Sequence, residues 1–280
     1  MTTGRRNLAA PLSRIRGRKK PMTNALRELD SLLNRKFVGH LAHLQNVLTL
    51  GREDPHALSL SEVLNEDSIA AIVESFCVTH GNTPRIAVLS IWSKWYFTTI
   101  VPPLISANVC VDVLPPCRAS VIKLVLNESY MIERGIISDG LPTVVAPGTA
   151  SRLAPLVEEL IAPFIERFHR CTGVPHSVLW SNAGNLVEGV VRHLEKIDAP
   201  DDAVRECDAY LNLPRLADGR RNRLYRPVVY TERSGERARR RRVCCLRYTL
   251  PDGKLCCACP RHENASTRSV LLQEPEDLLK

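Results

Sequence analysis

Four cysteines near the end of the chain constrain it more than any other feature. Cys244 and Cys245 are adjacent, ten residues separate them from Cys256, and two more lie between Cys256 and Cys259. Between the halves stands Pro251-Asp252-Gly253, flanked by Leu250 and Leu255, a strong turn signal that folds the segment back as a hairpin or tight loop. A turn centred between Pro251 and Asp252 sets Cys244 opposite Cys259 and brings Cys245 and Cys256 to the same spot. Three occupants answer to such a site. Zinc accepts four thiolates, but usually from separated C-x2-C pairs. Adjacent side chains diverge from the backbone, which suits a two-iron cluster with several attachment points better than one small ion. A redox dithiol built from Cys256 and Cys259 is the third. His262 could replace one thiolate in Rieske fashion, although four cysteines already complete the set.

The chain has 280 residues and ten cysteines, half of them in the sixteen residues 244–259. The scattered five, Cys77, Cys110, Cys117, Cys171 and Cys207, read as small buried hydrophobes. The net charge of +8 is equally uneven. Residues 1–21 carry seven Lys/Arg and no acid, and residues 218–247 carry eleven Arg against three acids, so the rest is acidic. The first stretch, broken by Pro11 and Pro21, reads as a disordered basic tail. It lacks the apolar run of a secretory signal, which implies a reducing, cytoplasmic setting. The longest apolar stretch, Ile86 to Leu114, is interrupted by Lys94 and by Pro102-Pro103, so no integral membrane segment is expected.

Leu26, Leu29, Leu33, Phe37, Leu41, Leu44 and Leu48 recur at three or four residues and predict one long helix. A second helix is expected from Ser61 through Phe76, and a third from Ile86 to Ile100, stopped by the proline pair. Residues 120–146 read as β structure with turns at Asn127-Glu128 and Asp139-Gly140. Ser151 is expected to cap a helix ending at Gly173 and bent near Pro163, and a last strong helix covers His176 to Lys196. The expected fold class is α+β, a helix-rich body with a small central antiparallel sheet and a small C-terminal iron–sulfur segment. Its divisions are the tail 1–21, the body 22–215 and an Arg-rich unit 216–280 carrying the cysteines.

The C-C-x10-C-x2-C pattern resembles the C-terminal signature of the FhuF-type ferric-siderophore reductases. The stretch His176 to Ala183 (HSVLWSNA) and the Trp92/Trp95 helix with its double proline are similar to that family as well. The resemblance implies a [2Fe–2S] cluster on Cys244, Cys245, Cys256 and Cys259, with Cys257 an extra thiol that leaves the third ligand less fixed. It implies one-electron reduction of Fe(III) in a siderophore, of hydroxamate type, to release Fe(II). No nucleophile, general base, flavin or nicotinamide fingerprint occurs, so no catalytic residue is expected beyond the cluster. Electrons would come from a separate donor such as a flavoprotein or ferredoxin, with no nucleic acid involved and at most a transient association with the inner membrane.

Arg240, Arg241 and Arg242 precede the first cysteine pair and read either as docking groups for an anionic chelate or donor, or as a solvated basic strand. Trp180 and Asn182, with Asn185, are the body's candidates for a chelate pocket because the resemblance touches them. Trp92 and Trp95 are weighed against plain core packing. Two other classes remain: a zinc-stapled binding module, and a siderophore-binding or siderophore-synthesis relative in which the cysteines are only a structural staple.

Overall fold

The computed structural model describes residues 19–146, 148, 152–233 and 236–263. Most of the expected tail lies outside these. Helix α1 spans Lys19–Lys36, so the last three residues assigned to the tail are helical. The leucine stripe does not continue as one helix. Gly39 sits at φ +56 beyond α1, a 3₁₀ turn follows at Gly39–Leu44, and the chain then extends into strand β1, Leu48–Leu50. All seven apolar residues of the stripe are nevertheless buried. The period reported burial correctly and the element only in part.

After β2 (Leu58–Ser59), Ser59 rather than Ser61 caps the next turn. Its hydroxyl accepts from Glu62 N–H while the Glu62 carboxylate takes Ser59 N–H, a reciprocal capping box on α2, Leu60–Val63. Asn65 then caps α3, Glu66–His80. Helix α4 runs from Arg85 to Val111, straight through Pro102 and Pro103. Each proline removes a backbone donor and costs about 3 kcal/mol. Both prolines are themselves buried, in a stretch enclosed from Ile100 to Val109, and that apolar burial outweighs the lost bonds.

Around α4 lies a four-stranded sheet of order β1-β5-β4-β2, with β4 at Ile122–Leu126 and β5 at Ile132–Ile137. Its β4 pairings are antiparallel, while β1 and β5 run parallel. The β4–β5 turn is closed by Asn127, whose Oδ1 accepts Ser129 N–H and Met131 N–H at 2.9 Å. A two-stranded sheet joins β3 (Val113–Leu114) to β6 (Thr143–Val144). The expected Ser151 cap lies outside the described residues. A π-helical turn at Leu156–Ile161 leads into α5, Ala162–Thr172, which Gly173 ends at φ +75. Helix α6 spans His176–Lys196 as the sequence predicts, and α7, Asp201–Asn212, follows.

Strands β7 (Val228–Arg233) and β8 (Glu236–Arg241) form an antiparallel hairpin laid on α6. Gly184 permits the close approach, since a Cβ there would stand 2.5 Å from Pro227 Cβ. Arg239 then reaches Glu188, which also accepts the Tyr230 hydroxyl, and bonds Asn185 Oδ1 at 2.7 Å. The Arg run is therefore a strand, and its first side chain here is an anchor to α6. The whole is an α+β fold dominated by helices, with the chain's end delivered to the faces of α4 and α6.

Candidate metal centre

Beyond β8 the described residues form only short 3₁₀ turns, and side chains of the body grip their backbone. Ser181 Oγ on α6 donates to Val243 O at 2.9 Å, and Ser90 Oγ on α4 donates to Cys245 O at 2.9 Å. Arg241 N–H donates to Ala258 O at 2.8 Å, which ties the second cysteine stretch to the strand before the first. The fold-back between them is compact rather than a β-hairpin. A short 3₁₀ turn at Arg247–Thr249 is followed by a turn in which Gly253 N–H donates to Leu250 O at 2.8 Å.

Two sulfur pairs result. Cys245 Sγ and Cys256 Sγ stand 3.8 Å apart, and Cys259 lies close enough to Cys244 to raise its thiol. Two thiolates sharing one tetrahedral metal at bond lengths of about 2.3 Å also lie about 3.8 Å apart. Among the described residues no three His, Cys, Asp or Glu side chains converge on a point one ion could occupy. The spacing is that of pairs. Cys245 and Cys259 are buried, Cys244 and Cys256 partly exposed, and Cys257 fully on the surface. His262 is turned away from a ligand role, its Nε2 lying 3.0 Å from Cys256 O.

The surroundings favour negative charge on Cys245, whereas burial outweighs the Leu246 amide and raises Cys244. Leu246 adopts φ +65, a left-handed conformation unusual for leucine, and its N–H points at Cys244 Sγ at 3.4 Å. The next amide, of Arg247, lies near enough to Cys245 to favour its thiolate. The Cys256 hydrogen bond lowers the Cys245 thiol to about 5 against the opposing effect of burial, with Lys94 and Arg241 adding positive charge. The same shared proton, then burial, raises Cys256. Four cysteines in two facing pairs, with amides and cations directed at them, fit an anionic multi-thiolate metal group.

Of the residues singled out in the sequence, Asn182 is 3% exposed and fully committed. Its Nδ2 donates to Ser90 O at 3.0 Å and to Ser93 Oγ at 2.9 Å, while its Oδ1 accepts from Arg241 Nη2. Arg241 is buried beside it, so of that group Trp180 and Arg240 are half-exposed and Arg242 alone is fully exposed. Trp92 is core, stacked on Phe168 at 5.8 Å, and Trp95 lies half-buried against Phe76. Among the scattered cysteines Cys117 and Cys207 are buried as expected, but Cys171 is exposed, because it sits on the outer face of α5. Lys94 was missed by sequence reasoning. Its signal was being the sole charge between Ile86 and Val111.

Residues 90–237 match the family described as "Ferric iron reductase FhuF-like transporter", and the chain belongs to that family. The matched stretch ends before the cysteines. Over 234 residues the chain is 24% identical to the protein named ferric siderophore reductase of Escherichia coli (strain K12), covering 79% of this chain and 86% of the relative. No helix among the described residues is long and apolar enough to cross a membrane.

Proposed function

We propose that this protein is a cytoplasmic oxidoreductase that reduces Fe(III) in a siderophore, with a [2Fe–2S] cluster held by Cys244, Cys245, Cys256 and Cys259. Residues 22–215 form its body and 216–280 its iron–sulfur unit. The observation that carries the reading is the 3.8 Å separation of Cys245 and Cys256, with Cys244 facing Cys259, in a member of a ferric iron reductase family. A single zinc would ask all four sulfurs to converge, and paired sulfurs speak for two metal atoms.

When bound, such a cluster supplies one-electron transfer. The body's share is to hold the cysteine segment against water and fix its charge environment. Buried Cys245 and Cys259 anchor the inner side, and partly exposed Cys244 and Cys256 define the edge nearest a partner. Exposed Arg242, Lys254 and Arg261 each lie two residues from one of the four cysteines in the chain and would draw in an anionic chelate or donor. A hydroxamate-type ferric siderophore binds Fe(III) through hard oxygens far more tightly than Fe(II), so the substrate's reduction is its release. A separate flavoprotein or ferredoxin would supply electrons.

The test is analysis of anaerobically purified protein. About two irons and two acid-labile sulfides per chain, a red-brown colour bleached by dithionite, and reoxidation by ferric siderophore are expected. Stoichiometric zinc without sulfide would sink the reading, and a reduced centre that ferric siderophore leaves untouched would reduce the cysteines to a staple.

A further inference from the structure

Two arginines of the described residues are buried, Arg152 at 3% exposure and Arg241 at 2%. Arg152 is compensated in the usual way, by Glu206 at 2.7 Å and Asp112 at 3.0 Å. Arg241 is not. Its Nη2 reaches only the neutral Asn182 Oδ1 and, at 3.3 Å, Ser181 Oγ. Its Nε is buried without a partner, and no carboxylate with a described side chain pairs with it, although Arg239 two positions earlier has Glu188. A guanidinium cannot escape burial by losing its proton, so an uncompensated one is heavily penalised.

Lys94 raises the same question. It lies one helical turn beyond Ser90, whose hydroxyl holds Cys245 O, so it is on the side of α4 that faces the cysteine segment. It is half-buried and makes no ion pair with a described residue. Both cations stand close enough to Cys245 and Cys256 to act on their charge, and Arg241 N–H is bonded to Ala258 O beside Cys259.

We infer that Arg241 and Lys94 are built-in counter-charges for an anionic metal group on the four cysteines, setting how readily it takes an electron and making the seating of the cysteine segment depend on its presence. This rests on the function proposed above. Each electron added to such a group increases negative charge beside one cation buried from water, where attraction is strongest, and a second that is half-buried. With the cysteines empty, the same cations face thiols that carry less negative charge, and the segment is held at a cost.

The test uses the full chain, loaded and metal-free, with Arg241→Met, Arg241→Lys and Lys94→Met. Redox titration followed by visible absorbance should show a lower midpoint in Arg241→Met, by a tenfold or larger change in the reduction equilibrium, equal to 59 mV for one electron. Arg241→Lys should recover part of it, and Lys94→Met should shift the same way by less, since Lys94 is more exposed. Loss of Arg241 should also narrow the melting gap between loaded and metal-free protein. A midpoint unmoved in both Met variants, or equal melting losses in the two forms, overturns the inference and leaves Arg241 as mere packing. Should Arg241→Met fail to load, the Lys94→Met and Arg241→Lys midpoints decide. Wild-type protein lacking iron and sulfide would instead strike down the proposed function itself.

Discussion

Ser90 and Cys245 lie 155 residues apart in the chain and are joined by one hydrogen bond, Ser90 Oγ donating to Cys245 O at 2.9 Å. Asn182 binds the same serine, so one buried cluster connects α4, α6 and the cysteine segment. Asn182→Ala strands several buried groups at once and should cost about 1–3 kcal/mol. Ser90→Ala should cost less. Thermal melting reads the loss, and the visible spectrum should weaken with it, because the segment and not the body is what comes loose.

Cysteine substitutions separate ligands from bystanders. Replacing Cys244, Cys245, Cys256 or Cys259 by Ser should strip or destabilise the centre, measured as iron and sulfide per chain. Cys257→Ser should leave it intact, since that side chain is exposed and outside the sulfur pairs. The reverse outcome, loss with Cys257→Ser and retention with Cys256→Ser, would move the ligand by one residue. Cys77→Ser should leave the visible spectrum unchanged.

The remaining buried thiols and phenols give the fold an alkaline limit. Burial pushes the Cys207 and Cys117 thiols up to about 12 from an ordinary 9. Burial, then Glu158, raises Tyr210 to about 12 from 10. The folded state favours the neutral forms, so their contribution is complete below pH 9 and is lost as pH climbs toward 12. Circular dichroism against pH should show unfolding in that window, shifted upward in Cys207→Val. Alkylation of the native protein at pH 8 should label exposed Cys171 and spare Cys207.

Exposed charge near the sulfurs should act on encounter more than on the centre. Arg242→Gln with Arg261→Gln should leave folding within about 0.5 kcal/mol of wild type. Single-turnover oxidation by an anionic ferric siderophore should slow, and the wild-type rate should fall with added salt. Stopped-flow absorbance at two ionic strengths checks both, and salt-insensitive, unchanged rates would make Arg242 and Arg261 a solvated surface only.

What the sequence disclosed here was local. The cysteine pairing follows from the turn at Pro251-Asp252-Gly253, and α6 and its Gly173 stop follow from period and backbone chemistry. What it hid depends on distant partners. Pro102 and Pro103 read as a helix stop because their cost is visible locally, while the burial that offsets it comes from surrounding elements. Arg241 looked like one more cation in a basic run, and only the approach of Asn182, 59 positions earlier, shows it to be interior. Lys94 was hidden for the same reason.

The grip on the cysteine segment falls on its main chain. Ser181 takes Val243 O and Ser90 takes Cys245 O, and the turn that follows closes on its own backbone from Leu250 to Gly253. Residues 251–254 are exposed at the tip of that turn, so their side chains are free of the body's control. Under the function proposed above, changes within residues 246–255 alter what the segment presents to solvent without touching the two serine bonds that seat it. Exchanging residues 246–255 between members of the family is the natural way to transplant preference from one iron carrier to another.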